Sequence, residues 1–164
     1  MDVLWAPWRM AYIGGTAPTR GCVFCNALME DPRERLLLGV TPGAMVMLNR
    51  YPYASGHLLV APRRHTNELP GMDAAEYAEL GETLRGALAL LKQELRPQGM
   101  NIGMNLGAPA GAGVVDHLHW HLVPRWVGDT NFMTTVAEAR VMPQHLLDTW
   151  DRLRPVFAGL DART

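Results

Sequence analysis

The chain predicts an α+β fold: an antiparallel sheet of about five strands, one long helix and a C-terminal helix. Three observations carry this. Short apolar runs come in pairs, 44–48 with 57–61 and 100–106 with 114–124. One long amphipathic stretch lies between the two pairs, and a second helical pattern occupies 143–157. Strands paired as hairpins, with a helix crossing between them, leave one sheet face to be covered by helices.

Each element follows from its residues. The first forty positions are punctuated by Trp5, Pro7, Trp8, Gly14, Gly15, Pro18 and Gly21 and read as irregular, with the two tryptophans as anchors. Ala44 to Leu48 reads as a buried strand, ended by Asn49-Arg50 and the turn-like Tyr51-Pro52-Tyr53-Ala54-Ser55-Gly56. The return strand, 57–61, is stopped by Pro62. The long helix starts at Asp73, with Glu76 three residues on as a capping box. Tyr77, Leu80, Leu84, Leu88, Leu91 and Leu95 form its core stripe, and Pro97 closes it. A strand over 100–106 runs into a glycine-rich turn, followed by a strand over 114–124. A loop at 128–132 and a short strand near Thr135-Val136 precede the terminal helix, where His145 reads as a surface residue. The expected organisation is a single domain, 1–164. It divides into an irregular N-terminal segment (1–40), a core (41–135) and a C-terminal helix with tail (136–164).

Composition narrows the function classes. Of 164 residues, 48% are hydrophobic and 19% charged, the proportions of a folded soluble domain. A net charge of −1 argues against broad electrostatic binding to nucleic acid or an anionic membrane. The start shows neither a basic n-region nor an apolar h-region, and no apolar run is long enough to span a bilayer. The expected location is the cytoplasm, and the expected partner is a small molecule.

The richest segment is His117-Leu118-His119-Trp120-His121. On a strand, successive side chains alternate faces, so three imidazoles share one face and Leu118, Trp120 and Leu122 the other, with Trp120 in the core. At about 3.3 Å per residue the imidazoles stand roughly 6.6 Å apart. They titrate near neutral pH, so this face offers a nucleophile, a proton donor and positive charge to an anionic substrate. Gly107 to Gly113 lies directly before it, where backbone N–H groups can form an anion-binding nest. It is neither a Walker loop nor a dinucleotide fingerprint. A neutral imidazole attacking phosphorus gives a covalent phosphoramidate, and flanking imidazoles steady the developing charge. His119, flanked on both sides, is the candidate nucleophile.

The segment His117 to Val123 fits His-φ-His-φ-His-φ-φ and resembles the histidine triad (HIT) superfamily. Asn49-Arg50-Tyr51-Pro52 with Gly56-His57-Leu58-Leu59-Val60-Ala61-Pro62 is similar to that family's nucleoside-binding hairpin. The Trp-Ala-Pro-Trp-Arg-Met opening, Pro124-Arg125-Trp126 and the 128–133 run resemble a bacterial subgroup of diadenosine tetraphosphate phosphorylases or hydrolases, related to the Fhit branch. The resemblance implies a HIT-like fold, a homodimer and cleavage of a dinucleoside polyphosphate through a nucleotidyl-His119 intermediate. It further implies that His121 and His57 contact phosphates and that Asn49 holds a ribose hydroxyl. Asn105 and the backbone of Gly111, Ala112 and Gly113 would lie against the transferred phosphate. Gly111-Ala112-Gly113 lacks the hydroxyl that some such phosphorylases carry, and the glutamine of the Fhit branch is absent too. Phosphate and water both stand as acceptors at this point.

The two cysteines, Cys22 and Cys25, form a Cys-x-x-Cys, which by itself fits a metal half-site, a redox pair or plain thiols. The resemblance implies a structural zinc on Cys22, Cys25, His65 and His117, which would leave the triad catalytically a pair. Arg63 and Arg64 read as solvated charges. Competing readings are a non-catalytic nucleotide-binding protein, a nucleoside phosphoramidate hydrolase, and a catalytic transition-metal site on the three histidines. The last lacks a carboxylate on the right face, since Asp116 falls opposite.

Overall fold

A computed structural model describes residues 21–129 and 144–161. The expectations for Trp5, Trp8, 130–133 and Thr135-Val136 lie outside these residues. In chain order the elements are α1 (Val23–Ala27), α2 (Pro32–Arg35), β1 (Leu37–Val40), β2 (Ala44–Leu48), β3 (Leu58–Pro62), α3 (Ala74–Leu95), β4 (Gly99–Met104), β5 (Trp120–Arg125) and α4 (Leu146–Asp161). A 3₁₀ turn occupies Ala108–Ala110. The five strands form one antiparallel sheet in the order β1-β2-β3-β5-β4.

The β2–β3 hairpin forms as predicted, pairing Ala44 with Pro62 through to Leu48 with Leu58. Its loop turns at Gly56, where φ is +77° and an added Cβ would meet Leu95 Cδ1 at 2.3 Å. The positive φ favours glycine, and any side chain there would also have to displace the tip of Leu95. The loop is thereby packed against the end of α3, directly before His57.

Helix α3 carries the predicted capping box: Asp73 accepts from the Glu76 N–H, and the Glu76 carboxylate accepts from the Asp73 N–H. Its buried face is Leu80, Thr83, Ala87 and Leu91, while Tyr77 is half exposed. Leu80 and Leu91 of the leucine stripe thus lie in the buried face, Leu84, Leu88 and Leu95 pack partly buried against the same core, and Tyr77 stands outside it. Helix α3 and α4 cover one side of the sheet, closing a core that includes Leu38, Val46, Val60, Leu122 and Phe157. A second apolar cluster, with Phe24, Met45, Met47 and Ala61, occupies the other side under α1.

Three expectations change. The first forty residues are not all irregular, because α1, α2 and β1 lie within the described part. Strand β1 is short and contains Gly39, and its apolar run Leu36-Leu37-Leu38 was the available local signal for it. The histidine strand is also shorter than 114–124: β5 begins at Trp120, and His117 to His119 form a lead-in outside the ladder. Leu118 and Leu122 are buried and Trp120 packs on the core, as the alternation predicts. Helix α4 starts at Leu146, so His145 stands just before it, exposed. No described helix is long and apolar enough to cross a membrane.

Candidate functional site

The site is assembled where the lead-in and start of β5 meet the first residues of β3. Pairing of Leu59 with His121 sets His57 and His121 beside one another across the sheet. His57 Nδ1 accepts a hydrogen bond from the Tyr53 backbone N–H at 3.1 Å and lies 3.3 Å from Asn49 Nδ2. A backbone amide can only donate, so the His57 proton sits on Nε2 and is donated to His121 Nδ1 at 3.0 Å. His121 consequently carries its own proton on Nε2, an atom that is buried with no hydrogen-bond partner among the described residues.

His119 has the opposite tautomer. Its Nδ1 lies 2.9 Å from the His117 carbonyl oxygen, which can only accept, so Nδ1 carries the proton and Nε2 holds a lone pair. The His119 and His121 ring centroids are 4.9 Å apart at an edge-on 65°. A bare nucleophilic nitrogen and an N–H donor thus stand on adjacent rings.

His117 does not join them. Its Nε2–H is donated to the Pro62 carbonyl at 2.8 Å, leaving the Nδ1 lone pair directed at Cys22 Sγ, 3.2 Å away, and Cys25 Sγ, 3.8 Å away. The three imidazoles do not converge on one point, which removes the geometric basis for a transition metal held by the triad.

These rings are electrically neutral at pH 7, contrary to the expectation of positive charge. Burial drives the His57 pKa down from 6.5 to about 3, helped by His121 and His119. Burial and the neighbouring His119 bring His121 to about 4. Burial also lowers His119, partly offset by its bond to the His117 carbonyl, and lowers His117. At each ring the loss of solvation outweighs the hydrogen bonds that favour the charged form, so the uncharged forms win.

The other predicted residues fall as follows. His57 is completely buried with both nitrogens engaged, which leaves neither free to contact a phosphate directly. Asn49 accepts from the Tyr51 N–H through Oδ1 and faces His57 through Nδ2. Its oxygen keeps a second lone pair that can accept a ribose hydroxyl. Asn105 donates to the Gly111 carbonyl at 3.3 Å. The glycine turn is closed more tightly than a nest requires: the N–H groups of Ala110 and Ala112 go to Gly107 and that of Gly111 to Ala108. Ala112 is half-buried, and Gly111 and Gly113 are exposed. Arg64 pairs with Glu76 on the surface and Arg63 reaches the Pro42 carbonyl.

Two aromatic side chains were not singled out by sequence. Phe24, buried between Cys22 and Cys25, packs on His117 at 4.9 Å and on His119 at 5.1 Å. Tyr53 covers His57 and His121. The aromatic inside the Cys-x-x-Cys was the available signal for Phe24; Tyr53 offered only its place in the turn before His57.

Cys22, Cys25, His65 and His117 place one ligand atom each within 4.8 Å of one another. Tetrahedral zinc, with bonds of about 2.3 Å to sulfur and 2.0–2.1 Å to nitrogen, requires N···S separations near 3.6 Å. The observed N···S distances are 3.2, 3.4 and 3.8 Å. The Pro62 carbonyl holds the His117 tautomer that presents Nδ1, the usual supporting contact of a metal-bound imidazole. The donor set fits zinc.

Residues 33–127 match the family model of the HIT domain. The chain is 40% identical over 155 residues to AP-4-A phosphorylase of Mycobacterium tuberculosis, covering 89% of this chain and 79% of that protein. Among solved structures it is similar to a Zn-bound histidine triad family protein from Mycobacterium smegmatis, with a TM-score of 0.66 and 27% identity, covering 88% of this chain and 98% of that one. It is similar also to a hypothetical histidine triad nucleotide-binding protein from Sulfolobus tokodaii, with a TM-score of 0.65 and 25% identity over 83% and 91% of the two chains.

Proposed function

The chain belongs to the HIT-domain family, and from that premise we propose that it is an enzyme cleaving a phosphoanhydride of a dinucleoside polyphosphate of the diadenosine tetraphosphate kind. One observation carries the reading: adjacent imidazoles present Nε2 atoms of opposite character, a lone pair on His119 and, on His121, a buried N–H unpartnered among the described residues. In the first step His119 Nε2 forms a bond to the α-phosphorus and the bond to the bridging oxygen breaks. The leaving nucleotide departs with that electron pair. His121 Nε2–H donates a hydrogen bond to phosphate oxygen as charge moves onto it. The leaving group is itself a phosphate with a second pKa near 6, so a hydrogen bond serves in place of a strong acid. In the second step an acceptor oxygen attacks phosphorus, His119 is released, and the acceptor's proton passes to solvent.

The likeness to AP-4-A phosphorylase supports phosphate as that acceptor. Asn49 is assigned to a ribose hydroxyl, and Asn105 with the 111–113 turn to the phosphate chain. The turn must loosen its internal hydrogen bonds to offer its amides. We assign a structural zinc to Cys22, Cys25, His65 and His117. Zinc supplies a cross-link between α1, the end of β3 and the lead-in to β5, and it holds His117 so that its carbonyl orients His119. The edge position of β4, with Ile102 exposed, supports a homodimer formed through the sheet.

The test is product analysis of diadenosine tetraphosphate turnover with and without inorganic phosphate. ADP plus ATP, formed only with phosphate, is the expected result. AMP plus ATP makes water the acceptor, and no turnover of any dinucleoside polyphosphate overturns the reading.

A further inference from the structure

Tyr53 touches the His57–His121 pair in two separate ways. Its backbone N–H donates to His57 Nδ1 at 3.1 Å, which fixes the proton of His57 on Nε2. Its ring lies 4.7 Å from the His57 ring centroid, tilted 36°, and nearly parallel to His121, at 6.0 Å and 19°. The ring is 41% exposed, so it separates the two imidazoles from solvent on one side and is itself no part of the core. A half-exposed tyrosine gains little stability from such a place, since an exposed aromatic forgoes much of the benefit of burial. Its position is better explained by what it covers.

We propose that Tyr53 is a positioning residue, whose side-chain ring holds both rings of the His57–His121 pair in place and keeps water from the hydrogen bond that orders their protons. This rests on the reading of His121 as the donor to phosphate. Two consequences follow. His121 can turn about its χ angles when nothing flat lies against it, and a turned ring no longer aims Nε2–H at the substrate. Water reaching the pair would also hydrogen-bond His121 Nδ1 in competition with His57 and stabilise the charged imidazolium. Among the described residues the ionisable groups that face the pair are His119 and the Tyr53 phenol, together with the two rings' action on each other. None of these stabilises an imidazolium, so keeping water out is what keeps the pair neutral.

The experiment compares wild type, Tyr53→Phe, Tyr53→Leu and Tyr53→Ala by nitrogen-15 NMR of the imidazoles in the resting protein, alongside steady-state kinetics. Tyr53→Phe keeps the flat ring. We expect it to retain single tautomers on His57 and His121 and activity within about threefold of wild type. Tyr53→Ala should show mixed tautomers on His121 and raise its half-protonation pH by about one pH unit or more. Its kcat should fall about tenfold with KM changed less than about threefold, because ground-state binding is untouched. Tyr53→Leu preserves apolar bulk without a flat face, folds wherever the alanine variant is too loose, and should show the same mixed tautomers. Unchanged tautomers and titration in both the leucine and alanine variants overturn the proposal. The NMR arm needs no substrate. Altered tautomers in a protein that turns over no dinucleotide therefore sustain the positioning role and refute the proposed function alone.

Discussion

His57 Nε2 donates to His121 Nδ1 at 3.0 Å across neighbouring strands, and this one bond decides which nitrogen of His121 faces the ligand. The chain of donors runs from the Tyr53 amide to His57 to His121 and ends on a buried N–H with no partner among the described residues. A buried donor left unsatisfied is unfavourable by about 1–3 kcal/mol, a deficit relieved most as charge builds on a phosphate oxygen in the transition state.

Replacing His57 by Gln therefore acts at a distance. The variant should bind nucleotide with KM within about threefold of wild type and lose about 10²-fold in kcat. A fall in affinity with unchanged kcat would contradict an indirect role for His57.

His119→Ala removes the ring whose Nε2 holds a lone pair. Turnover should fall by at least about 10³-fold while equilibrium binding of AMP, measured by calorimetry, changes less than about threefold.

Acid should destabilise the fold through the buried histidines. The folded pKa values of His57 and His121, about 3 and about 4, lie below the unfolded value of 6.5. Between these limits the unfolded chain binds more protons than the native one, so stability falls as pH drops through 6.5 and the loss levels off only near 3 to 4. Thermal melts between pH 7.5 and 4 should show this decline, and His57→Gln should show less of it. A melting temperature flat across that range would contradict the burial of neutral imidazoles.

Zinc content provides a separate check. Protein purified without chelator should hold about one zinc per chain, and Cys22→Ser or His65→Ala should hold much less and melt several degrees lower. Less than about 0.2 zinc per wild-type chain would remove the metal from the account.

At the loop before His57, Gly56→Ala should destabilise the protein by about 1–3 kcal/mol in urea unfolding. The substitution combines an unfavourable φ with a clash against Leu95.

What was legible in the sequence was what local chemistry encodes. The capping box of Asp73 and Glu76 announces α3, and the alternation around Trp120 announces the faces of β5. The four members of the candidate metal cluster were named from resemblance, and the fold brings them together although Cys22 and His117 stand 95 residues apart. Charge states were not legible, because neutrality at His57 and His121 comes from burial by residues distant in sequence. Nor was the separation of His117 from His119 and His121. Parity on a strand puts all three on one face, but the lead-in leaves the ladder at Trp120, and Pro62 and the cysteines take His117 for the other cluster.

The central claim is that His119 Nε2 takes the nucleotidyl group. Mass spectrometry of protein quenched with diadenosine tetraphosphate in the absence of phosphate tests it most directly. The account predicts one adenylyl group on the peptide containing His119, discharged on adding phosphate and absent from His119→Ala. Turnover without any such adduct, or an adduct that persists in His119→Ala, would contradict it.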